Sequence, residues 1–275
     1  PDLSRRQLIG FSLAAGALLA AAQTFRASDA LAAGKPGGTI RAALSNGAAT
    51  DSLDPATWGT NWFTSEFGNL FGNALTAVDA KNEIVPQLAE SFEAQDGATT
   101  WVFKLRNNVK FHNGEVATAK HVVAAYDYHR GPDSKSGSKA GLQIIDTITA
   151  VGDDTLIFKL KSGAADFAYE TASYRVFPAP LKDGKTDWSA GGTGPFKLVS
   201  FEPGVKMVAE KNPDYYDAAN IYFDRVELLV VADPAARTNA LLTGEVHYID
   251  RVDLKTIELL KANPEIEIDN VTGFS

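Results

Sequence analysis

Trp101-Val-Phe-Lys-Leu-Arg-Asn-Asn-Val-Lys-Phe-His-Asn-Gly-Glu115 sets the register for everything around it. Trp101, Phe103 and Leu105 fall on one side of an extended chain, the period of a strand with one buried face. Asn107-Asn108 then reads as a hairpin-like turn into Val109-Lys-Phe111,. Upstream lie Ile84-Val-Pro-Gln-Leu-Ala-Glu-Ser-Phe92 and an Asp96-Gly97 turn. Downstream, Thr118 or the residue before it can cap a helix to about Tyr128, with Val122, Val123, Tyr126 and His129 near one face,. Residues 131–141 are polar, rich in glycine and serine, and read as a mobile loop. Strand patterns at 145–151 and 155–160 flank Gly152-Asp-Asp154,. Residues 83–160 are therefore expected to form antiparallel strands plus one helix, followed by a short helix within 164–172.

On either side the pattern changes. Thr39-Ile-Arg-Ala-Ala-Leu44 reads as a strand, and the turn-rich Asn46-to-Pro55 segment delivers Trp58, Gly59, Thr60, Asn61, Trp62 and Phe63 just beyond it,. Apolar residues at 63, 67, 70, 71 and 74 fit a helix over 62–75,. Beyond the inserted unit, strands are predicted at 196–201, 206–210 and 223–231. A helix follows over 233–242 with Asp233 as cap, Pro234 at its first position and Gly244 as stop,. A second is predicted over 252–261, and an alternating strand over 265–271. The glycine-rich Gly191-Gly-Thr-Gly-Pro195 turn lacks the Lys-Ser/Thr of a phosphate loop and leads into a strand, which argues against nucleotide binding there,.

The first residues have a separate character. Ser4-Arg5-Arg6, an apolar run from Leu8 to Ala22 and the small-residue exit Ala30-Leu-Ala-Ala33 fit a twin-arginine export leader over 1–33,. The apolar run is shorter than the roughly 20 residues that span a bilayer. The leader implies export through the twin-arginine machinery to the periplasm. With no cysteine among the 275 residues, disulfides and thiolate metal sites are excluded,. The formal net charge of −8 and the absence of a basic block argue against nucleic acid as a partner,.

Six blocks carry a resemblance: Ser52-Leu-Asp-Pro-Ala56, Ile84-Val-Pro-Gln-Leu-Ala-Glu-Ser91, the 101–115 stretch, Thr193-Gly-Pro-Phe-Lys-Leu198, Glu210-Lys-Asn-Pro-Asp-Tyr-Tyr216, and Asp233-Pro-Ala-Ala-Arg237 through Leu241-Leu-Thr-Gly-Glu-Val246. In this order and spacing the chain resembles the family 5, or cluster C, solute-binding proteins of ABC importers, with dipeptide, oligopeptide and nickel-binding members. The resemblance implies an α/β, type II periplasmic-binding-protein-like fold. Residues 37–82 and 181–271 would form the core of lobe I, and 83–180 its appended subdomain. Residues 272–275 would begin the hinge into a second lobe, expected to be missing from this chain.

The resemblance also points to a site. In the family, the segment after the Leu-Asp-Pro turn touches ligand, which here nominates Trp58, Gly59, Thr60, Asn61 and Trp62. Aromatic rings beside a polar amide suit an organic solute independently of that resemblance. Peptide binders often present an acidic side chain where Gly59 stands, a departure that bears on oligopeptide specificity. Tyr128 is placed where the appended subdomain approaches ligand. His112, His121, His129 and His247 lack metal-ligand spacing, so neither metal nor cofactor is expected. No nucleophile elbow or catalytic carboxylate pair stands out, so no enzyme is expected. The function implied is that of an extracytoplasmic, monomeric solute-binding component delivering peptides or a related small organic solute to an ABC permease in the inner membrane. The alternative is a periplasmic binding module for sensing or chaperoning.

Overall fold

A computed structural model of the chain describes residues 36–269. The expected leader at 1–33 and hinge start at 272–275 lie outside the described residues. Strand β1 (Thr39–Leu44) occupies the interior of the main sheet, where Ala42, Ala43 and Leu44 are all buried. A strand covered on both faces needs such a continuous apolar end. A single turn of 3-10 helix at Pro55–Thr57 precedes α1 (Trp62–Phe71). α1 stops before residue 75 because the Phe177 ring packs against Gly72 and the backbone there turns extended.

The inserted unit follows. A short pair, β2 (Thr76–Val78) and β3 (Ile84–Pro86), leads to β4 (Ala89–Gln95) and β5 (Thr100–Leu105). Then come α2 (Ala119–Arg130), α3 (Lys139–Leu142), β6 (Ile145–Val151), β7 (Thr155–Leu160) and α4 (Phe167–Glu170). The antiparallel order β4-β5-β7-β6 buries Trp101, Phe103, Leu105, Leu156 and Phe158 against Val122 and Tyr126 of α2. Thr118 caps α2 in a reciprocal box with His121, which satisfies donors that a bare helix end would leave open.

Two expectations change here. Asn107-Asn108 does turn the chain, with Asn108 at φ +59°, but the turn joins no hairpin, because β5 is already paired on both edges by β4 and β7. The reversal comes one turn later, where Phe111 N–H donates to the Glu115 carbonyl (2.8 Å) and Ala117 N–H to that of Val109 (2.8 Å). The 131–141 segment, read as a mobile loop, is tied back instead. His129 Nδ1 meets Ser136 Oγ at 2.7 Å, and Lys139 Nζ donates to the Pro132 and Ser134 carbonyls.

The chain returns through β8 (Leu181–Lys182) and β9 (Lys185–Thr186), then β10 (Phe196–Glu202), β11 (Lys206–Lys211) and β12 (Arg225–Val230). Helix α5 (Pro234–Thr243), β13 (Tyr248–Ile249) and α6 (Ile257–Lys261) complete it. The main sheet has the order β10-β11-β12-β1-β13, with β1 parallel to both its neighbours. One face packs Ala42 and Leu44 on Phe63, Phe67 and Phe71 of α1; the other packs Ala43 on Leu241, Ile249 and Leu260.

Asp233 caps α5 by accepting from Ala236 N–H at 2.7 Å, and Gly244 ends it at φ +76°, a left-handed conformation that glycine adopts without steric cost. α6 begins at Ile257 rather than 252, since the Asp253 carboxylate takes the Lys255 N–H and holds a turn,. Residues 265–269 form no strand. Ile266 and Ile268 still pack on the Ala43 cluster, so the alternation reflects burial without a ladder partner among the described residues.

Candidate functional site

The carboxyl ends of β12, β1 and β13 open onto one edge of the main sheet, with α1 on one face and α5 on the other. A crevice at such a switch point is where open α/β sheets bind ligands. The segment leaving β1 supplies its lip. Asn46 Oδ1 accepts from Trp62 N–H (2.8 Å), while Asp51 accepts from Ala48 N–H (2.8 Å) and from Asn61 Nδ2 (2.9 Å). Asn61 Oδ1 in turn accepts from Thr64 N–H at 2.9 Å, capping α1. The lip is thus built by short polar side chains that answer backbone donors, as a helix start requires.

The five nominated lip residues differ in what they expose. Gly59 and Thr60 are open to solvent, and Asn61 and Trp62 are half-buried. The Arg251 guanidinium carbon lies 5.7 Å from the Trp62 ring centroid. Asn61 has both amide atoms committed to the lip itself. Trp58 corrects the sequence reading: it turns inward, 3% exposed, with Nε1 donating to the Ser52 carbonyl at 2.7 Å. Its ring lies nearly parallel to Tyr174 at 6.3 Å, with Phe67 and Phe177 around the remainder. Gly68 of α1 lets the indole approach so closely that a Cβ there would stand 2.8 Å from it. Trp58 therefore holds the lip from below instead of offering a stacking face.

Tyr128 does reach the lip from the inserted unit. Its hydroxyl donates to Asp54 Oδ2 at 2.6 Å, across 74 residues of sequence, and its ring remains 43% exposed while leaning on Trp188. Burial of the hydroxyl, joined by the adjacent Asp54 carboxylate, pushes the Tyr128 pKa up to about 12, so it stays a donor. Between Asp54, Thr57 and Tyr128 on one side and Pro132, Asp133 and Lys135 on the other lies an open groove of about 420 Å³.

The four histidines are occupied structurally. His112 Nε2 lies 3.0 Å from the Gly194 carbonyl, His121 bonds Glu115 and Thr118, His129 bonds Ser136, and His247 Nδ1 accepts from Arg41 N–H. Burial lowers His112 and His129 to about 4.

Sequence reasoning missed two features. Arg175 donates through Nη2 to the Gly59 carbonyl at 2.6 Å. On α1 and just past β13, Glu66 and Asp250 each keep one buried carboxylate oxygen without a hydrogen bond, although Asp250 Oδ1 lies 3.7 Å from the buried Arg237 Nε. Burial, with the Asp250 charge second, raises Glu66 to about 8. The Asp51–Asn61 spacing at the start of an apolar helix was a readable capping signal. The partners of Arg175 and Glu66, over 100 residues away, had none.

Residues 83–275 match the profile of the middle region of the bacterial extracellular solute-binding proteins, family 5. The chain belongs to that family. It is 28% identical over 221 residues to the oligopeptide-binding protein AppA of Bacillus subtilis, covering 75% of this chain and 40% of that one. It is 27% identical over 286 residues to the probable peptide ABC transporter periplasmic-binding protein y4tO of Sinorhizobium fredii, covering 97% and 52%. The solved structure of the periplasmic binding protein AgaA with agropinic acid, from A. tumefaciens R10, superposes with a TM-score of 0.74 at 26% identity over 82% of this chain and 46% of that one. The fold of this family 5 chain is accordingly that of the type II periplasmic binding proteins. The chain spans about half the length of the curated relatives it matches.

Proposed function

We propose that this chain is the solute-gripping lobe of an extracytoplasmic receptor that feeds an ABC importer, taking peptides or a related small organic solute. The observation that carries the reading is the exposed lip at Gly59–Thr60, set at the carboxyl ends of parallel strands and faced by Tyr128 from the inserted unit, in a member of a solute-binding family. Residues 37–82 with 181–271 form the lobe core in this proposal, and 83–180 the appended subdomain; the separate buried clusters of the main sheet and the inserted sheet support that division.

Ligand contact is assigned to Gly59, Thr60 and Tyr128 directly, and to Trp62 through its half-buried ring. Asn61 and Trp58 shape the lip. Closure of a second lobe over this one would trap the solute and present it to a permease in the inner membrane. The protein works as a monomer and performs no catalysis itself. Residues 1–33 direct it through the twin-arginine machinery to the periplasm. The AgaA complex with agropinic acid keeps small organic acids within the ligand class beside peptides.

Native mass spectrometry of the protein purified from its periplasm tests this. A retained ladder of short peptides supports peptide uptake, and a single small non-peptide mass supports the organic-solute reading. A protein that emerges empty and shows no thermal shift with either class would overturn both.

A further inference from the structure

Among the described residues, Arg175 stands at the lip without a counter-ion. Its Nη2 braces the Gly59 carbonyl, its Nε is buried with no hydrogen-bond partner, and no partner of Nη1 is found among the described residues. The acid on that side of the lip, Asp54, is already committed: Oδ1 accepts from Ala56 N–H and Oδ2 from Tyr128. An unpaired, half-buried cation in a chain of net charge −8 is costly to maintain for stability alone.

The group is also held rigid. Its guanidinium carbon lies 4.4 Å from the Tyr174 ring centroid, and Tyr174 stacks on the anchored Trp58 at an interplanar angle of 10°. Gly137 closes the other side, where a Cβ would sit 3.6 Å from the guanidinium carbon. A planar fork fixed in orientation, beside an exposed backbone lip, suits a planar anion with two oxygens.

From this we infer that Arg175 anchors a carboxylate group of the bound solute against the Gly59 lip, an inference that rests on the solute-binding reading and narrows its ligand class to carboxylic acids. Arg175 fixes the ligand's acidic end, and the exposed Gly59 leaves room for it.

Two measurements on the full chain separate this inference from the reading beneath it. In the first, arginine Nε–Hε resonances are followed by NMR while sodium succinate is added. The Arg175 signal should move saturably, whereas Arg130, already paired with Asp127 at 2.9 Å, should not. A static Arg175 signal, or a linear drift shared with Arg130, overturns the anchor.

In the second, trialanine and trialanine amide are titrated into the wild type, Arg175→Gln and Arg175→Lys. The free acid should bind the wild type about tenfold more tightly than the amide, and both variants should lose that preference, since lysine keeps the charge without the fork. Equal binding of acid and amide, or a preference that survives in Arg175→Gln, would reduce Arg175 to a brace for Gly59. If neither peptide binds while succinate still shifts Arg175 saturably, the peptide reading fails and the anchor stands.

Discussion

Glu66 lies on the inward face of α1, 5% exposed, with Oε2 buried and unpartnered. Burial and the neighbouring Asp250 raise its pKa from 4.5 to about 8, so the folded protein holds this proton through neutrality while the unfolded chain releases it near pH 4.5. Between those values the folded state binds more protons, and stability from this group therefore falls as pH rises. Glu66→Gln keeps the shape and removes the titration. The variant is expected to be more stable than the wild type by roughly 2–4 kcal/mol at pH 7.5 and little changed at pH 4.5. Urea unfolding at both pH values checks this; parallel pH slopes for variant and wild type would show that Glu66 is ionised in the fold. Asp250, also raised by burial and bonded to Ser45, is the second member of this buried acidic pair.

Asn61 does two jobs at the start of α1: it caps Thr64 N–H and it ties the helix to Asp51. Asn61→Ala removes both and should cost about 1–2 kcal/mol, measured by chemical denaturation. Asn61→Asp restores the cap but sets a second carboxylate beside Asp51, so it should recover only part of the loss. Elements like this were legible because the signal is local. β5 declared itself by the alternation of Trp101, Phe103 and Leu105, and α5 by Asp233-Pro234 at one end and Gly244 at the other. The misplaced hairpin after β5 failed for a non-local reason, the pairing of β5 with β7 across the intervening helix. The site divides in the same way. The lip segment was nominated from its position after β1, yet Trp58 turns inward because Gly68 and Tyr174 make a slot for it. Arg175 reaches Gly59 across 116 residues, a separation that no periodicity can report.

At the scale of the whole molecule, buried titratable groups set opposing pH trends. His112 and His129 are held near pKa 4, chiefly by burial, against an ordinary 6.5. Between pH 4 and 6.5 the unfolded chain therefore binds protons that the folded protein refuses, and stability climbs with pH. His112 joins the 111–115 turn to the Gly194 connection of the main sheet, and His129 joins α2 to Ser136, so protonating either loosens a junction between elements. Glu66 acts in the reverse sense from about 4.5 to 8. His121, also lowered by burial, adds to this rise, while Asp250, raised by burial like Glu66, opposes it; with three histidines on the rising side, stability should climb with pH on the acid side,. Above pH 6.5 the histidines are neutral in both states and the Glu66 trend remains. Stability should then peak near pH 6.5 and decline toward pH 8, and in Glu66→Gln the decline should flatten into a plateau. Denaturation midpoints collected from pH 4 to 8.5 test the curve. A wild-type profile that rises steadily to pH 8 would mean that Glu66 does not hold its proton in the folded protein, and a flat acid limb would mean that His112 and His129 accept theirs without loss of structure.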